Sequence, residues 1–297
     1  MCTLLHGVTV TGSRLPQRGR LIEQCAVPEL PEVEIVRREL SPLMTGARIE
    51  RVELRRGDLR APFPRRFRAR LEGRTVAGLE RRAKYLLAEL SSGETLVMHL
   101  GMSGSFRIAR GLAGEPGRHD HVVFHLSSGV AVIFNDPRRF GVMDLLRPGG
   151  LAAHRALGSL GPEPLSAEFD GYVLARACAG RKTSLKVALL DQRVVSGLGN
   201  IYASEALHLA GLSPRRRAST IATPSGAPRD AAHRLAAAIT QVLKEAIARA
   251  SGATYRSSRF RVYDREGARC RRRGCPGTIR RRTQAGRSTF YCAVCQH

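Results

Sequence analysis

An acid directly follows a proline in the run Pro28-Glu29-Leu30-Pro31-Glu32-Val33-Glu34. Inside a chain, a proline nitrogen is a tertiary amide with no usable lone pair. As a first residue it is a secondary amine, able to attack an electrophilic carbon and hold it as an iminium ion. Whether Val27 precedes Pro28 in the working protein therefore decides whether this chemistry exists. A second reactive set lies at the other end of the chain: Cys270-x4-Cys275, then, after sixteen residues, Cys292-x2-Cys295. Two close thiolate pairs separated by a hairpin-sized loop match a closed tetrahedral zinc site. Four protein ligands leave no position for water, so the spacing predicts a structural metal; free or disulfide-bonded cysteines are the competing reading. The residues between the pairs read as two strands joined at Gln284-Ala285-Gly286-Arg287, a basic hairpin whose turn presents Arg287.

Three further segments carry weaker signals. Asp136-Pro137-Arg138-Arg139-Phe140 sets two guanidinium groups beside an aromatic ring, which suits phosphate contact plus a wedge between bases. His99-Leu100-Gly101-Met102-Ser103-Gly104 offers an apolar tip between glycines, or a turn packed on its own domain. His119-Asp120-His121 lacks a third metal ligand nearby, and fits a phosphate or structural role better. The isolated Cys178 reads as a small buried hydrophobe.

These residues need elements to hold them. Pro31, the acids Glu32 and Glu34, and apolar Val33, Val36 and Leu40 predict a helix starting just after Glu29. From residue 47 to about 146, short alternating runs such as 85–90, 95–100, 121–126 and 130–134 predict a sandwich or barrel-like sheet domain. A linker begins at Arg147-Pro148-Gly149-Gly150 and runs through Gly161-Pro162-Glu163-Pro164. Helical spacing follows over 184–190, 201–210 and 231–250.

The formal charge of +24, from 49 basic and 25 acidic residues, points to a polyanion, most simply nucleic acid. Nearly all of that basicity is arginine, since lysine occurs only at positions 84, 182, 186 and 244. Residues 1–27 carry a net +2 from Arg14, Arg18, Arg20 and Glu23, so without them the charge is still +22. No run approaches the roughly 18 apolar residues of a membrane span, and the first residues lack a secretory pattern. The cysteine distribution suits a reduced cytosol with one metal site, and nothing forces oligomerisation, so a cytoplasmic monomer is expected.

Together, these segments resemble the formamidopyrimidine-DNA glycosylase family, bacterial base-excision enzymes that also cut at abasic sites. The resemblance runs from about Pro28 to His297. It rests on the Pro28–Glu34 run, Arg81-Arg82-Ala83-Lys84-Tyr85, His99–Gly104, Asp136–Phe140, Gly199-Asn200-Ile201-Tyr202-Ala203-Ser204-Glu205 and the cysteine hairpin, six motifs in the family's order. The sister family, endonuclease VIII, opens instead with a run like Pro-Glu-Gly-Pro-Glu. The resemblance implies an α+β protein: an N-terminal β-sandwich with a leading helix over 28–147, a linker over 148–165, a helix-two-turn-helix domain over 166–255 and a zinc finger over 261–297. Duplex DNA carrying a damaged base would lie in the cleft between domains. The same resemblance makes Pro28 the nucleophile, Glu29 the acid, and Lys84 and Arg287 the basic residues serving the catalytic site. It assigns Met102, Arg138 and Phe140 to the gap left by an extruded nucleotide. Its phosphates would be gripped by His119, Lys84, Lys186, Asn200 and Arg287, with Arg181 or Lys182 adding charge. One structural zinc would sit on Cys270, Cys275, Cys292 and Cys295.

Two features depart from the family pattern. The stretch 252–263 is short where the family carries a longer glycine-rich loop that closes over 8-oxoguanine, so formamidopyrimidine lesions are expected to be preferred to that base. The other departure is the 27-residue leader. Val27 occupies the family's initiator position, and a GTG start there is the most economical reading; removal after translation, or an inactive chain, are the others. The rival functions are an endonuclease VIII-like preference for oxidised pyrimidines and a non-catalytic, zinc-containing DNA-binding protein with Pro28 blocked.

Overall fold

The structure is a computed structural model that describes residues 20–21, 27–110, 117–250 and 260–297. Alternating residues build two antiparallel sheets. One contains β1 (Arg20–Leu21), β2 (Ile49–Leu54), β6 (Ser105–Arg110), β7 (Asp120–Leu126) and β8 (Val130–Asn135), in the order β1-β6-β8-β7-β2. The other contains β3 (Val76–Arg82), β4 (Tyr85–Leu90), β5 (Thr95–His99) and β9 (Val142–Leu146), in the order β3-β4-β5-β9. Phe106, Val122, Phe124, Val132 and Phe134 from the first sheet meet Leu79, Leu86, Ala88, Leu96 and Met98 from the second in one buried layer. The expected sandwich is therefore present. A two-residue leader strand, β1, lies on its edge against β6.

Helix α1 (Leu30–Met44) starts where the sequence predicts. Val33, Val36, Leu40 and Met44 pack into the sandwich, whereas Leu30, in its first turn, is buried in the core of the helical region. One helix thus serves two cores, which no division of the chain at a single boundary captures.

A second, short helix, α2 (Phe67–Leu71), sits between β2 and β3. Beyond the linker come α3 (Gly171–Cys178), α4 (Leu185–Leu190), α5 (Asn200–Ala210) and α6 (Asp230–Ala250). In α6, Leu235, Ile239, Val242, Leu243 and Ala246 form the buried stripe that its helical spacing predicts. Cys178 is fully buried there, and burial pushes its thiol up to about 11, in keeping with an inert apolar role. Strands β10 (Ile279–Gln284) and β11 (Arg287–Cys292) form the hairpin between the cysteine pairs. Its two-residue turn has φ of 46° at Ala285 and 72° at Gly286, the left-handed pair of a type I′ turn that matches strand twist. Among the described residues, no helix is long and apolar enough to cross a membrane.

Candidate active site

Pro28 is buried immediately ahead of α1, and Glu29 caps that helix with 3% of its surface exposed. The Glu29 carboxylate crosses to the start of α5. Its Oε2 accepts from Gly199 N–H at 2.8 Å and Tyr202 N–H at 3.3 Å, and its Oε1 accepts from Ile201 N–H at 2.8 Å. A helix N-terminus supplies unpaired N–H donors and a positive dipole end, so it is a natural seat for a carboxylate. Gly199 is required by that approach: a Cβ there would lie 2.3 Å from the Glu29 carboxyl carbon. Burial nevertheless raises the proton affinity of Glu29 above the usual carboxylate range, against the lowering influence of Lys84 and the three N–H donors.

A second acid stands behind the first. Glu32 accepts the Glu29 N–H at 2.9 Å and the Tyr202 hydroxyl at 2.6 Å. Burial, then repulsion from Glu29, pushes it up to about 7. The folded protein therefore holds a proton on Glu32 that the unfolded chain has released, in the window between its ordinary 4.5 and about 7. Stability falls as pH rises through that window, by up to about 3 kcal/mol from this group. Glu32→Gln should flatten the slope of unfolding free energy between pH 5 and 7, measured by denaturant titration. An unchanged slope contradicts the assignment.

Lys84 sits in the β3–β4 hairpin next to Ala83, whose φ is 54°. Burial and the Arg287 charge hold its ammonium below the usual lysine range, opposed by Glu29 and Glu32. The hairpin is fixed by Glu163 in the linker, which accepts from Arg81 Nη1 at 2.6 Å, Arg82 Nη1 at 2.9 Å and Ala83 N–H at 3.0 Å. Arg82 also reaches Ser196 and the Gly161 carbonyl, at 2.7 and 2.6 Å. A contact spanning 80 residues thus fixes the hairpin that carries Lys84, whose charge acts on Glu29, with the exposed Arg287 felt electrostatically at both Lys84 and Lys186.

Lys186 is fully buried. Its ammonium donates to Asn200 Oδ1 at 2.6 Å, Thr289 Oγ1 at 2.7 Å and the Ser288 carbonyl at 2.9 Å. Asn200 also donates to the Ser288 carbonyl at 3.0 Å. An ammonium has three donors, so in this structure Lys186 and Asn200 tie α4 and α5 to the cysteine hairpin, and a phosphate would have to replace a protein acceptor. Burial and Arg287 bring Lys186 down to about 8. Arg181 stands apart from this group, paired with Asp191 at 3.1 Å and donating to the Ala177 carbonyl at 2.8 Å.

The two loops expected to form a wedge are joined. Ser103 donates to Asp136 Oδ1 at 2.5 Å and accepts from Arg138 N–H at 3.1 Å. Gly101 has φ of 65° and lies so close to Phe140 that a Cβ would sit 2.3 Å from its carbonyl carbon. Met102 and Phe140 are left 39% and 37% exposed, with the Arg138 guanidinium 4.9 Å from the Phe140 ring centre. Asp136 N–H donates to the His119 carbonyl at 3.0 Å, which brings the His119 turn to the same edge. His121 and Asp120 are instead committed to the fold. The His121 ring bonds the Asp136 carbonyl, and Asp120 accepts from Arg107, Asn135 and Gly117.

The four cysteine sulfurs lie within 4.8 Å of one another, the one such metal-capable group of His, Cys, Asp and Glu among the described residues. Cys270 and Cys295 are 3.8 Å apart at sulfur, and Cys275 and Cys292 are 3.7 Å apart. Disulfides need roughly 2.05 Å. Tetrahedral zinc with bonds of about 2.3 Å puts its sulfurs about 3.8 Å apart, so the donors and their spacing fit.

Glu32 and Tyr202 lie inside the Pro28–Glu34 and Gly199–Glu205 motifs, but their residue types and spacing do not mark them as part of the site. The same holds for Glu205, which accepts from three successive backbone N–H groups, Arg261 to Tyr263, at 2.8 to 3.0 Å. The one available signal was an acid interrupting an otherwise apolar helical run. Most of the short stretch 252–263, namely 252–259, lies outside the described residues.

Comparison with known proteins agrees with this architecture. Profiles of the formamidopyrimidine-DNA glycosylase N-terminal domain and of the formamidopyrimidine-DNA glycosylase H2TH domain match residues 27–143 and 160–258. A curated formamidopyrimidine-DNA glycosylase from Bradyrhizobium sp. (strain ORS 278) is 57% identical, the match covering 91% of this chain and 100% of the relative. That match spans 293 positions, whereas 91% of 297 residues is about 270, so this chain lacks roughly 23 of the aligned positions. Among solved structures, the MutM (Fpg) protein of Thermus thermophilus is 38% identical, with a TM-score of 0.77 over 91% of this chain and 98% of that one. The Lactococcus lactis Fpg (MutM) in complex with Fapy-dG-containing DNA is 30% identical, with a TM-score of 0.80 over 91% and 100%. The chain belongs to the formamidopyrimidine-DNA glycosylase family.

Proposed function

We propose that the chain removes oxidised purines, formamidopyrimidines foremost, from duplex DNA and then cleaves the resulting abasic site by β,δ-elimination. The reading is carried by one observation: a buried carboxyl of raised proton affinity, Glu29, clamped on the start of α5 directly beside Pro28 and facing the charge of Lys84. As a free secondary amine, Pro28 attacks the sugar at C1′ and displaces the damaged base. Glu29 protonates the ring oxygen, which opens the sugar to an iminium on Pro28. Loss of the 2′ proton and of the flanking phosphates follows, and hydrolysis frees the amine. Lys84 and Arg287 compensate the phosphates, while Met102, Arg138 and Phe140 occupy the space of the extruded nucleotide. His119 lies at the same edge; Arg181 adds positive charge farther off.

One zinc held by Cys270, Cys275, Cys292 and Cys295 would fix the hairpin that presents Arg287, with no open coordination position and no part in the chemistry. The protein acts as a monomer on DNA in the bacterial cytoplasm.

The test uses duplexes carrying a formamidopyrimidine, 8-oxoguanine, an oxidised pyrimidine or no lesion. Strand cleavage is expected at the first and absent from the last. Faster cleavage at the oxidised pyrimidine overturns the substrate assignment in favour of endonuclease VIII-like specificity. 8-Oxoguanine should be excised more slowly than formamidopyrimidine, since the short 252–263 stretch has little chain to close over it. Equal rates for the two lesions refute that part.

A further inference from the structure

The C-terminal turn of α5 places His208, 3% exposed, against the cysteine cluster. Its Nε2 lies 3.3 Å from Cys270 Sγ and 3.8 Å from Cys295 Sγ. These sulfurs come from different halves of the site, one before and one after the hairpin. The other ring nitrogen, Nδ1, is buried with no hydrogen-bond partner among the described residues. A neutral imidazole has one N–H, and the sulfurs are the acceptors in reach, so the ring is the Nε2–H tautomer pointing between two thiolates.

Four thiolates and a divalent cation carry a net charge of −2, which burial makes costly unless donors spread it. Backbone groups supply part of this: the Val294 and Cys295 N–H groups favour the Cys292 thiolate. Arg272 N–H reaches Cys270 Sγ at 3.5 Å, and the Arg272 side chain is turned away, bonding the carbonyls of His208 and Leu209. Among the described residues, His208 is the side chain whose N–H lies within reach of both the Cys270 and the Cys295 sulfur.

We propose that His208 is a positioning residue of the metal centre: its Nε2–H bridges the Cys270 and Cys295 thiolates, holds them in register and slows loss of the metal. The proposal rests on the four-cysteine site being a zinc centre. It also gives α5 a second duty. One end of this helix seats the Glu29 carboxylate; the other holds the metal site through His208 and through the Arg272 contacts to its last carbonyls.

The test compares the full chain with His208→Leu and His208→Gln, since glutamine can place an amide N–H near the Nε2 position and leucine cannot. The wild-type chain should purify with one zinc. Transfer of that zinc to a chromogenic chelator should be about 10- to 100-fold faster for His208→Leu. His208→Gln should release it within a few-fold of wild type. With cobalt in place of zinc, the sulfur-to-metal charge-transfer band should move to longer wavelength in His208→Leu and return towards the wild-type position in His208→Gln. A metal-replete His208→Leu protein with wild-type release and spectrum overturns the proposal. So does a His208→Gln protein that releases zinc as fast as His208→Leu. A wild-type chain that purifies without metal overturns the zinc reading itself, and the proposal with it.

Discussion

Borohydride is expected to join a chain beginning at Pro28 covalently to abasic-site DNA, and to leave unlinked the same chain in which Val27 still precedes it. The contrast should be all-or-none, because it depends on the nitrogen's bonding rather than on a contact that can be partly kept. An α-amino group titrates near 8, so an appreciable neutral fraction is present at physiological pH. In a peptide bond the same nitrogen shares its lone pair with the carbonyl and cannot form an iminium for the hydride to reduce. Pro28 is already buried beside Glu29, while Val27 is 46% exposed. The peptide bond that blocks the amine is therefore made by an exposed residue, next to a proline that already sits in the site. Intact mass identifies which chain is present in each reaction. Trapping by protein whose mass retains Val27 would exclude Pro28 as the nucleophile.

Glu29→Gln carries the second large effect. An amide cannot deliver the proton that opens the sugar, and general-acid catalysis contributes about 10²–10⁴-fold. Single-turnover excision of a formamidopyrimidine base should fall by that factor. Glutamine also turns an NH2 towards backbone N–H groups that now point at carboxylate oxygens, at Gly199 and Ile201. The measurement therefore needs a thermal melt beside it, to show that the variant is folded at the assay temperature. Excision at the wild-type rate would remove Glu29 from the mechanism, leaving it as a structural cap of α5.

What could be read in the sequence was whatever repeats at short range. Alternation in 85–90 and 95–100 became β4 and β5, and helical spacing in 231–250 became α6. Helices α2 and α3 escaped, the first five residues long, the second eight residues starting at a glycine and capped by Asp170, whose Oδ1 accepts from Val173 N–H at 2.9 Å. Neither has enough turns to display a period. The cysteine site was legible from ligand count and spacing. The acid site was legible only through motifs, because the contact that defines it joins Glu29 to Gly199 across 170 positions. Lys186 shows the same limit: the resemblance places it on a phosphate, and its three bonds to Asn200, Thr289 and the Ser288 carbonyl depend on packing that no local spacing displays.

Helix α5 leaves natural variation very little room. From Ile201 to His208 every residue is buried, so the helix has no solvent face on which substitutions could accumulate harmlessly. Asn200, Tyr202, Glu205 and His208 each answer to a different neighbour, namely the hairpin, Glu32, the 261–263 backbone and the cysteines. Change at one position cannot be compensated by sliding or rotating the helix, since that would release the other three. A saturation scan of the chain would register the eight residues from Ile201 to His208 as a continuous block of intolerance. Homologues that differ at one of them would have to carry a matching change in the partner it touches.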